Sequence, residues 1–155
     1  MLMPKLDKDI TEQRLIDLMK AYRRVAPTCT TQKQAWIRTA ESPAPRYYIT
    51  HFQAYQRMLQ YFKGDRMENY TNPYRKALFD ALYETCIELS QKPEYLGMSL
   101  YKLTQFAITQ PAPSFFVSPE SMPVLFKKMK EIEREKSLRF HRFYRNTYLK
   151  GKDDE

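Results

Sequence analysis

The chain contains one short motif twice, first as Pro43-Ala44-Pro45-Arg46-Tyr47-Tyr48-Ile49-Thr50 and again as Pro111-Ala112-Pro113-Ser114-Phe115-Phe116-Val117-Ser118. Each copy consists of Pro-Ala-Pro, one variable residue, two aromatic residues, a β-branched aliphatic residue and a hydroxyl residue. So many matches in register are hard to reach by chance in a chain of 155 residues. We therefore predict that the protein is built from two related units.

The segments outside the motif have apolar residues at helical spacing, whereas the motif itself cannot be helical. Proline fixes φ and disfavours helical geometry in the residue before it. Thr50 with Gln53 has the pattern of a capping box, and Asp9 with Glu12 has the same pattern near the start of the chain. Apolar periodicity and these caps predict six helices, over residues 10–25, 31–41, 50–64, 72–90, 99–109 and 118–148.

The predicted fold class is all-α, with duplicated three-helix units in one compact domain of residues 1–155. The units cover about residues 9–64 and 72–148, and a basic tail follows at 149–155. The aromatic parts of the motif, residues 47–49 and 115–117, have high β propensity. Two arrangements are open for them: a minimal two-stranded ribbon across a pseudo-twofold axis, or two plugs that fill the core from opposite ends. In both, the two rings of each pair point to opposite sides.

Composition indicates a globular protein with a strong positive charge. Hydrophobic residues make up 43% of the chain and aromatic residues 14%, which argues against disorder. Lysine and arginine total 26 against 18 acidic residues, and the formal net charge is +8. An excess of this size favours association with a polyanion, although it says nothing about the fold.

Several classes of chemistry find no support in the sequence. Cys29 and Cys86 stand singly and far apart, which indicates reduced thiols and no zinc site. The two histidines, His51 and His141, have no neighbouring nucleophile, and no phosphate-binding glycine loop occurs. We predict no catalytic residues, no metal and no cofactor. The absence of a leader-like or membrane-length apolar run predicts a cytoplasmic protein with no membrane contact.

The repeated motif resembles a phrase found in small uncharacterised proteins of bacterial phages and conjugative elements. The resemblance covers the two copies of the motif at residues 43–50 and 111–118. It implies a mobile-element setting and DNA handling, with DNA favoured over RNA. It implies no catalytic residue.

The last predicted helix carries the most concrete electrostatic feature. At 100° per residue, Leu125, Met129, Ile132, Phe140, Phe143 and Tyr144 share one side, and cations occupy the other. The candidate nucleic-acid-binding residues are Lys127, Lys130, Arg134, Arg139, His141, Arg142 and Arg145. No acidic residue occurs between Lys136 and Lys152, so the second half of the helix is the better phosphate ligand. Arg38, which precedes the first copy of the motif, and Arg46, which lies within it, are secondary basic candidates.

Two functional readings remain open at this stage. The first is a small non-enzymatic nucleic-acid-binding or regulatory accessory protein that contacts phosphates through its last helix. The alternative is a protein–protein interaction or structural assembly module with no nucleic-acid role. In that case exposed tyrosine and methionine residues contact a protein partner, or the apolar stripe of the last helix forms a homodimer seam.

Overall fold

The computed structural model describes residues 3–145, and it confirms the predicted all-α fold. Within this range the chain forms six α-helices: α1 (Met3–Val25), α2 (Gln32–Glu41), α3 (His51–Phe62), α4 (Pro73–Ser90), α5 (Leu100–Ala107) and α6 (Met122–Tyr144). Short 3-10 turns cover Ala26–Thr28, Pro93–Tyr95 and Pro119–Ser121. The predicted basic tail at 149–155 lies outside the described residues.

Most helix starts are where the capping signals predicted them. The side chains of Thr31, Thr50 and Ser99 each accept a hydrogen bond from the backbone N–H three residues later. Asn72 caps α4 in the same way and is followed by proline at the first helical position. The prediction for Asp9 was wrong, because α1 already begins at Met3 and Asp9 lies inside the helix.

The six helices pack as two groups of three. In the first group α1 packs on α2 and α6, which also touch each other, and in the second group α4 packs on α5 and α3, which touch each other. The last helix of each predicted unit therefore packs on the first two helices of the other unit. One continuous cluster of buried residues runs through both groups. The duplication itself stays a prediction.

The two copies of the motif meet at the centre and form what we call the crossing, residues 43–50 and 111–118. Ala44 and Ala112 lie opposite each other in an antiparallel bridge, in which each N–H donates to the other carbonyl at 2.9 Å. The predicted two-stranded ribbon does not form among the described residues. Prolines on both sides of each alanine lack the N–H groups that a longer ladder needs.

Beyond the prolines, the backbone of the crossing bonds to helix ends instead. The Tyr47 N–H donates to the Ile108 carbonyl at 3.0 Å, and the Phe115 N–H donates to the Ala40 carbonyl at 3.3 Å. These two bonds occupy corresponding positions, since the interval from Tyr47 to Phe115 equals that from Ala40 to Ile108. Each copy of the motif thus closes the last turn of the helix that precedes the other copy.

The aromatic side chains of the crossing stack in pairs. The rings of Tyr48 and Phe115 lie 5.8 Å apart and nearly parallel, and the rings of Tyr47 and Phe116 lie 6.2 Å apart. The Tyr47 hydroxyl reaches Thr85 on α4 at 2.7 Å. Tyr48 reaches the other way, towards Asp17 on α1. The two rings of this pair therefore point to opposite sides, as predicted.

An ion pair at the α3–α4 contact makes stability depend on pH. Asp80 accepts hydrogen bonds from the Tyr61 hydroxyl at 2.7 Å and from Lys76 Nζ at 2.9 Å. Burial alone would raise the pKa of Asp80, but Tyr61 and Lys76 outweigh it and hold the pKa below the ordinary value. A depressed pKa stabilises the fold above the unfolded-state pKa, and that contribution is lost as the pH falls through the folded-state value.

We therefore expect the substitution Asp80→Asn to lower the free energy of unfolding more at neutral pH than in acid. Urea unfolding at pH 7 and at about pH 3, where the unfolded carboxyl is mostly protonated, measures the difference. The difference in the free energy of unfolding between the wild type and Asp80→Asn should be smaller in acid. An equal gap at both pH values would show that the carboxylate charge contributes nothing here.

Candidate nucleic-acid interface

The candidate interface is built on α6, whose first half is held firmly by α1 and α2. Met122 and Met129 are buried, and Phe126 packs its ring 4.8 Å from Tyr22 on α1 and 6.2 Å from Trp36 on α2. The position of the basic residues is therefore fixed by the packing of this first half.

The described side chains in the C-terminal half of α6 are open to solvent. Every described side chain from Arg134 to Arg142 is exposed. The prediction that Phe140 packs was wrong, since 63% of its surface is accessible, and Leu138 is 51% accessible. α2 has 10 residues and α6 has 23, so α2 can cover only part of α6. The side chains of Phe143 and Tyr144 lie outside the described part.

The structure brings all seven candidate residues to the exposed surface of one helix. They are Lys127, Lys130, Arg134, Arg139, His141, Arg142 and Arg145, and we call them the basic stripe. Among the ion pairs between described residues, Arg139 with Glu135 is the one that involves the stripe, at 3.9 Å and with both side chains exposed. The Lys130 Nζ lies 4.7 Å from the centre of the Phe126 ring, and the Lys130 side chain is exposed.

Of the three acidic residues of α6, one is paired on the packed side of the helix and two lie near the first half of the stripe. Glu133 pairs with Arg23 on α1, on the packed side of the helix. Glu131 and Glu135 remain exposed near the first half of the stripe. The second half, from Lys136 to Arg145, contains no acidic residue. The positive potential is therefore strongest where the helix is most accessible.

The secondary candidates lie elsewhere. Arg38 is exposed on α2, and its guanidinium reaches Thr28 Oγ1 at 3.5 Å. Arg46 is half-buried at the crossing and lines a cleft with His51 and Gln105. None of the stripe residues lines that cleft. The structure thus separates Arg46 from the basic stripe.

Other chemistry is sparse in the part of the chain that the structure describes. It shows no group of three or more His, Cys, Asp or Glu side chains arranged to hold a metal ion. Cys29 and Cys86 are free thiols, and burial raises the pKa of Cys86 to about 12. A thiol with so high a pKa is a poor nucleophile at neutral pH. Among the described helices, none has the length and apolarity needed to span a bilayer.

Sequence reasoning missed one surface that the fold creates. His51 on α3 and Tyr101 on α5 come together next to Arg46, with the His51 and Tyr101 rings 4.3 Å apart. Nothing in the local sequence indicates that His51 and Tyr101 lie close together. They are on α3 and α5, which belong to different predicted units and meet because α3 packs on the helices of the other unit. The prediction of Arg46 as a secondary basic residue was the one sequence observation that pointed to this surface.

Comparisons of the chain with protein-family models, with curated proteins and with solved structures find no match.

Proposed function

We propose that the protein is a small non-enzymatic nucleic-acid-binding or regulatory accessory protein that contacts backbone phosphates through the basic stripe. The observation that carries the proposal is the exposure of all seven stripe residues, six of them on α6 and Arg145 directly after it. Phosphate contacts need exposed lysine and arginine side chains that are free to reach an approaching backbone. The fold supplies a rigid support, because the first half of α6 is packed on α1 and α2.

The exposed ring in the stripe extends the proposal to single strands. Phe140 lies between Arg139 and His141 and is largely accessible. An accessible ring next to cations can stack on an unpaired base while the cations hold the phosphates. We therefore expect single-stranded nucleic acid to bind at least as tightly as duplex of the same length. The preference for DNA and the mobile-element setting rest on the resemblance of the motif at residues 43–50 and 111–118.

A binding experiment with matched charge loss tests the proposal. Fluorescence anisotropy with labelled oligonucleotides is measured for the wild type and for Arg139→Ala/Arg142→Ala/Arg145→Ala at one low salt concentration. The control is Lys33→Ala/Lys63→Ala/Lys92→Ala, which removes three exposed cations from other elements. We expect the stripe variant to bind at least about 10-fold more weakly than the control variant. Equal weakening in both would mean that net charge alone, and not the stripe, drives the binding.

The exposed apolar side chains of α6 favour a second candidate, a protein-interaction or assembly module. Leu138 and Phe140 are exposed in the same region, and Val124 is exposed nearer the start of the helix. Large exposed apolar side chains on one helix are the usual anchors of a helical partner or a homodimer. Under this candidate, Leu138→Ser/Phe140→Ser would shift sedimentation from a dimer to a monomer. Under the nucleic-acid proposal, both proteins sediment as monomers and Phe140→Ser weakens single-strand binding.

A further inference from the structure

A second basic surface lies at the crossing, in a cleft between α1, α3 and α5. The cleft has a volume of ≈ 510 Å³, which lies within the range of small-molecule sites. Its polar lining is formed by Gln13, Arg46, Thr50, His51, Gln105 and Thr109, and Ile10 and Ile108 add apolar surface. The cleft therefore combines a cation, several hydrogen-bonding groups and an apolar wall.

The Arg46 side chain is held in place but has donors to spare. Its Nε donates to the Tyr47 carbonyl at 3.1 Å, which fixes the plane of the guanidinium. Among the described residues, no carboxylate lies within ion-pair distance of it, and its two terminal nitrogens make no hydrogen bond. A planar guanidinium with free terminal N–H groups matches the oxygens of a phosphate in a bidentate arrangement.

The His51 ring is also oriented by the fold. Its Nε2 lies 2.6 Å from the Tyr101 carbonyl, and since a carbonyl only accepts, Nε2 must carry the proton. The other ring nitrogen, Nδ1, has no hydrogen-bond partner among the described residues. On protonation, Nδ1 becomes a second donor. His51 thus supplies a group that can donate to an anion in the cleft.

Asp17 is an acidic residue close to this arrangement, and its carboxylate is already engaged. It lines an adjoining cleft with Gln13 and Arg46. Its two oxygens accept hydrogen bonds from the Tyr48 hydroxyl at 2.5 Å and from Gln13 Nε2 at 3.0 Å. Asp17 is also buried, so its oxygens face these donors and not an incoming anion.

An exposed aromatic ring stands beside the cleft. Tyr101 does not itself line the cleft, but its ring contacts that of His51, which does. The ring is 53% accessible and also contacts Tyr55, 5.2 Å away in an edge-to-face arrangement. A ring that is fixed by its neighbours and open to solvent is suited to stacking on a planar base. A phosphate ligand and a stacking surface side by side describe the two ends of a nucleotide.

We propose that this cleft binds a nucleotide, with Arg46 and His51 on its phosphate and Tyr101 stacked on its base. The corresponding positions of the second copy cannot do the same, because Ser114 stands in the place of Arg46 and Pro119 in the place of His51. The crossing is therefore functionally one-sided. The ligand is a phosphate monoester on a nucleoside, either a free nucleotide or the phosphorylated end of a strand.

Calorimetric titration of the full chain with adenosine 5′-monophosphate, adenosine and inorganic phosphate tests this proposal. The monophosphate should bind more tightly than either of the other two. We expect Arg46→Gln to weaken it about 10-fold, which corresponds to the loss of a charge-assisted hydrogen bond. Tyr101→Ala should weaken the monophosphate about 5-fold and leave inorganic phosphate unchanged. If adenosine binds as tightly as the monophosphate, or if Arg46→Gln has no effect, the proposal is wrong.

Two further variants separate this site from folding defects and from α6. Gln105→Glu changes an exposed side chain in the wall of the cleft, so the variant should keep its fold. The added negative charge repels the phosphate and should weaken binding of the monophosphate about 10-fold. Arg139→Ala/Arg142→Ala/Arg145→Ala should bind the monophosphate like the wild type. Weaker binding in that variant would assign the nucleotide to the basic stripe and overturn the cleft. A 5′-phosphorylated oligonucleotide, compared with its unphosphorylated form, distinguishes a strand end from a free nucleotide.

Discussion

Replacing Phe115 with alanine is expected to lower the free energy of unfolding by about 4 kcal/mol, the usual cost of removing a buried phenylalanine ring. Phe115 is almost fully buried at the crossing, and its ring is stacked on Tyr48. It belongs to the cluster of buried residues that runs through both helix groups, so its loss leaves a cavity in that cluster. Urea unfolding followed by circular dichroism measures the change.

Phe116→Ala is the matched control for this prediction. Phe116 is half-buried, and its backbone has a φ of 54°, in the left-handed region that few non-glycine residues adopt. It has less apolar surface to lose, so we expect a decrease less than half as large as that for Phe115→Ala. Equal decreases would show that the two rings contribute equally to the free energy of unfolding and that Phe115 has no special role in the crossing.

The second large effect is expected for Tyr48→Phe, at about 3 kcal/mol, because the change takes a hydrogen bond from a buried charged group. The Tyr48 hydroxyl donates to the buried carboxylate of Asp17 at 2.5 Å. Burial, and after it this hydrogen bond, raises the pKa of Tyr48 far above its ordinary value, so the hydroxyl stays protonated and keeps donating. Without it, Gln13 is the one side-chain donor that Asp17 keeps among the described residues.

Tyr47→Phe removes the same hydroxyl from the neighbouring position and serves as the control. The Tyr47 hydroxyl bonds to Thr85 and to the Ala81 carbonyl, and both partners are uncharged. A neutral hydrogen bond contributes about 1 kcal/mol, so this variant should be clearly more stable than Tyr48→Phe. If the two variants are equally stable, the charge of Asp17 does not matter for the fold.

The helices themselves were predictable from local sequence. Capping side chains such as Thr50 and Asn72, prolines at helix starts and apolar periodicity act over a few residues, and the helix bounds follow them closely. The start of α1 was missed because Asp9 has a capping pattern inside a longer helical segment. The pattern alone cannot tell a cap from an interior residue, since both allow the same side-chain spacing.

The packing of the helices could not be predicted in the same way. Nothing near α3 or α6 indicates that each packs on the helices of the other unit, because this depends on contacts between residues far apart in the chain. The wrong prediction for Phe140 has the same origin, since helical spacing shows that a residue shares a side with Met129 but not whether a neighbour reaches it. The cleft of Arg46 and His51 was likewise hidden until the fold brought α3 and α5 together.

The central claim is that the basic stripe of α6 holds backbone phosphates, and the salt dependence of binding tests it most directly. Anisotropy titrations of the wild type and of Arg139→Ala/Arg142→Ala/Arg145→Ala are repeated at several salt concentrations. The logarithm of the binding constant should fall linearly with the logarithm of the salt concentration, and the variant should have a slope smaller by about two to three units. Identical slopes, or no salt-sensitive binding by the wild type, would contradict the claim and leave the protein-interaction module as the function to pursue.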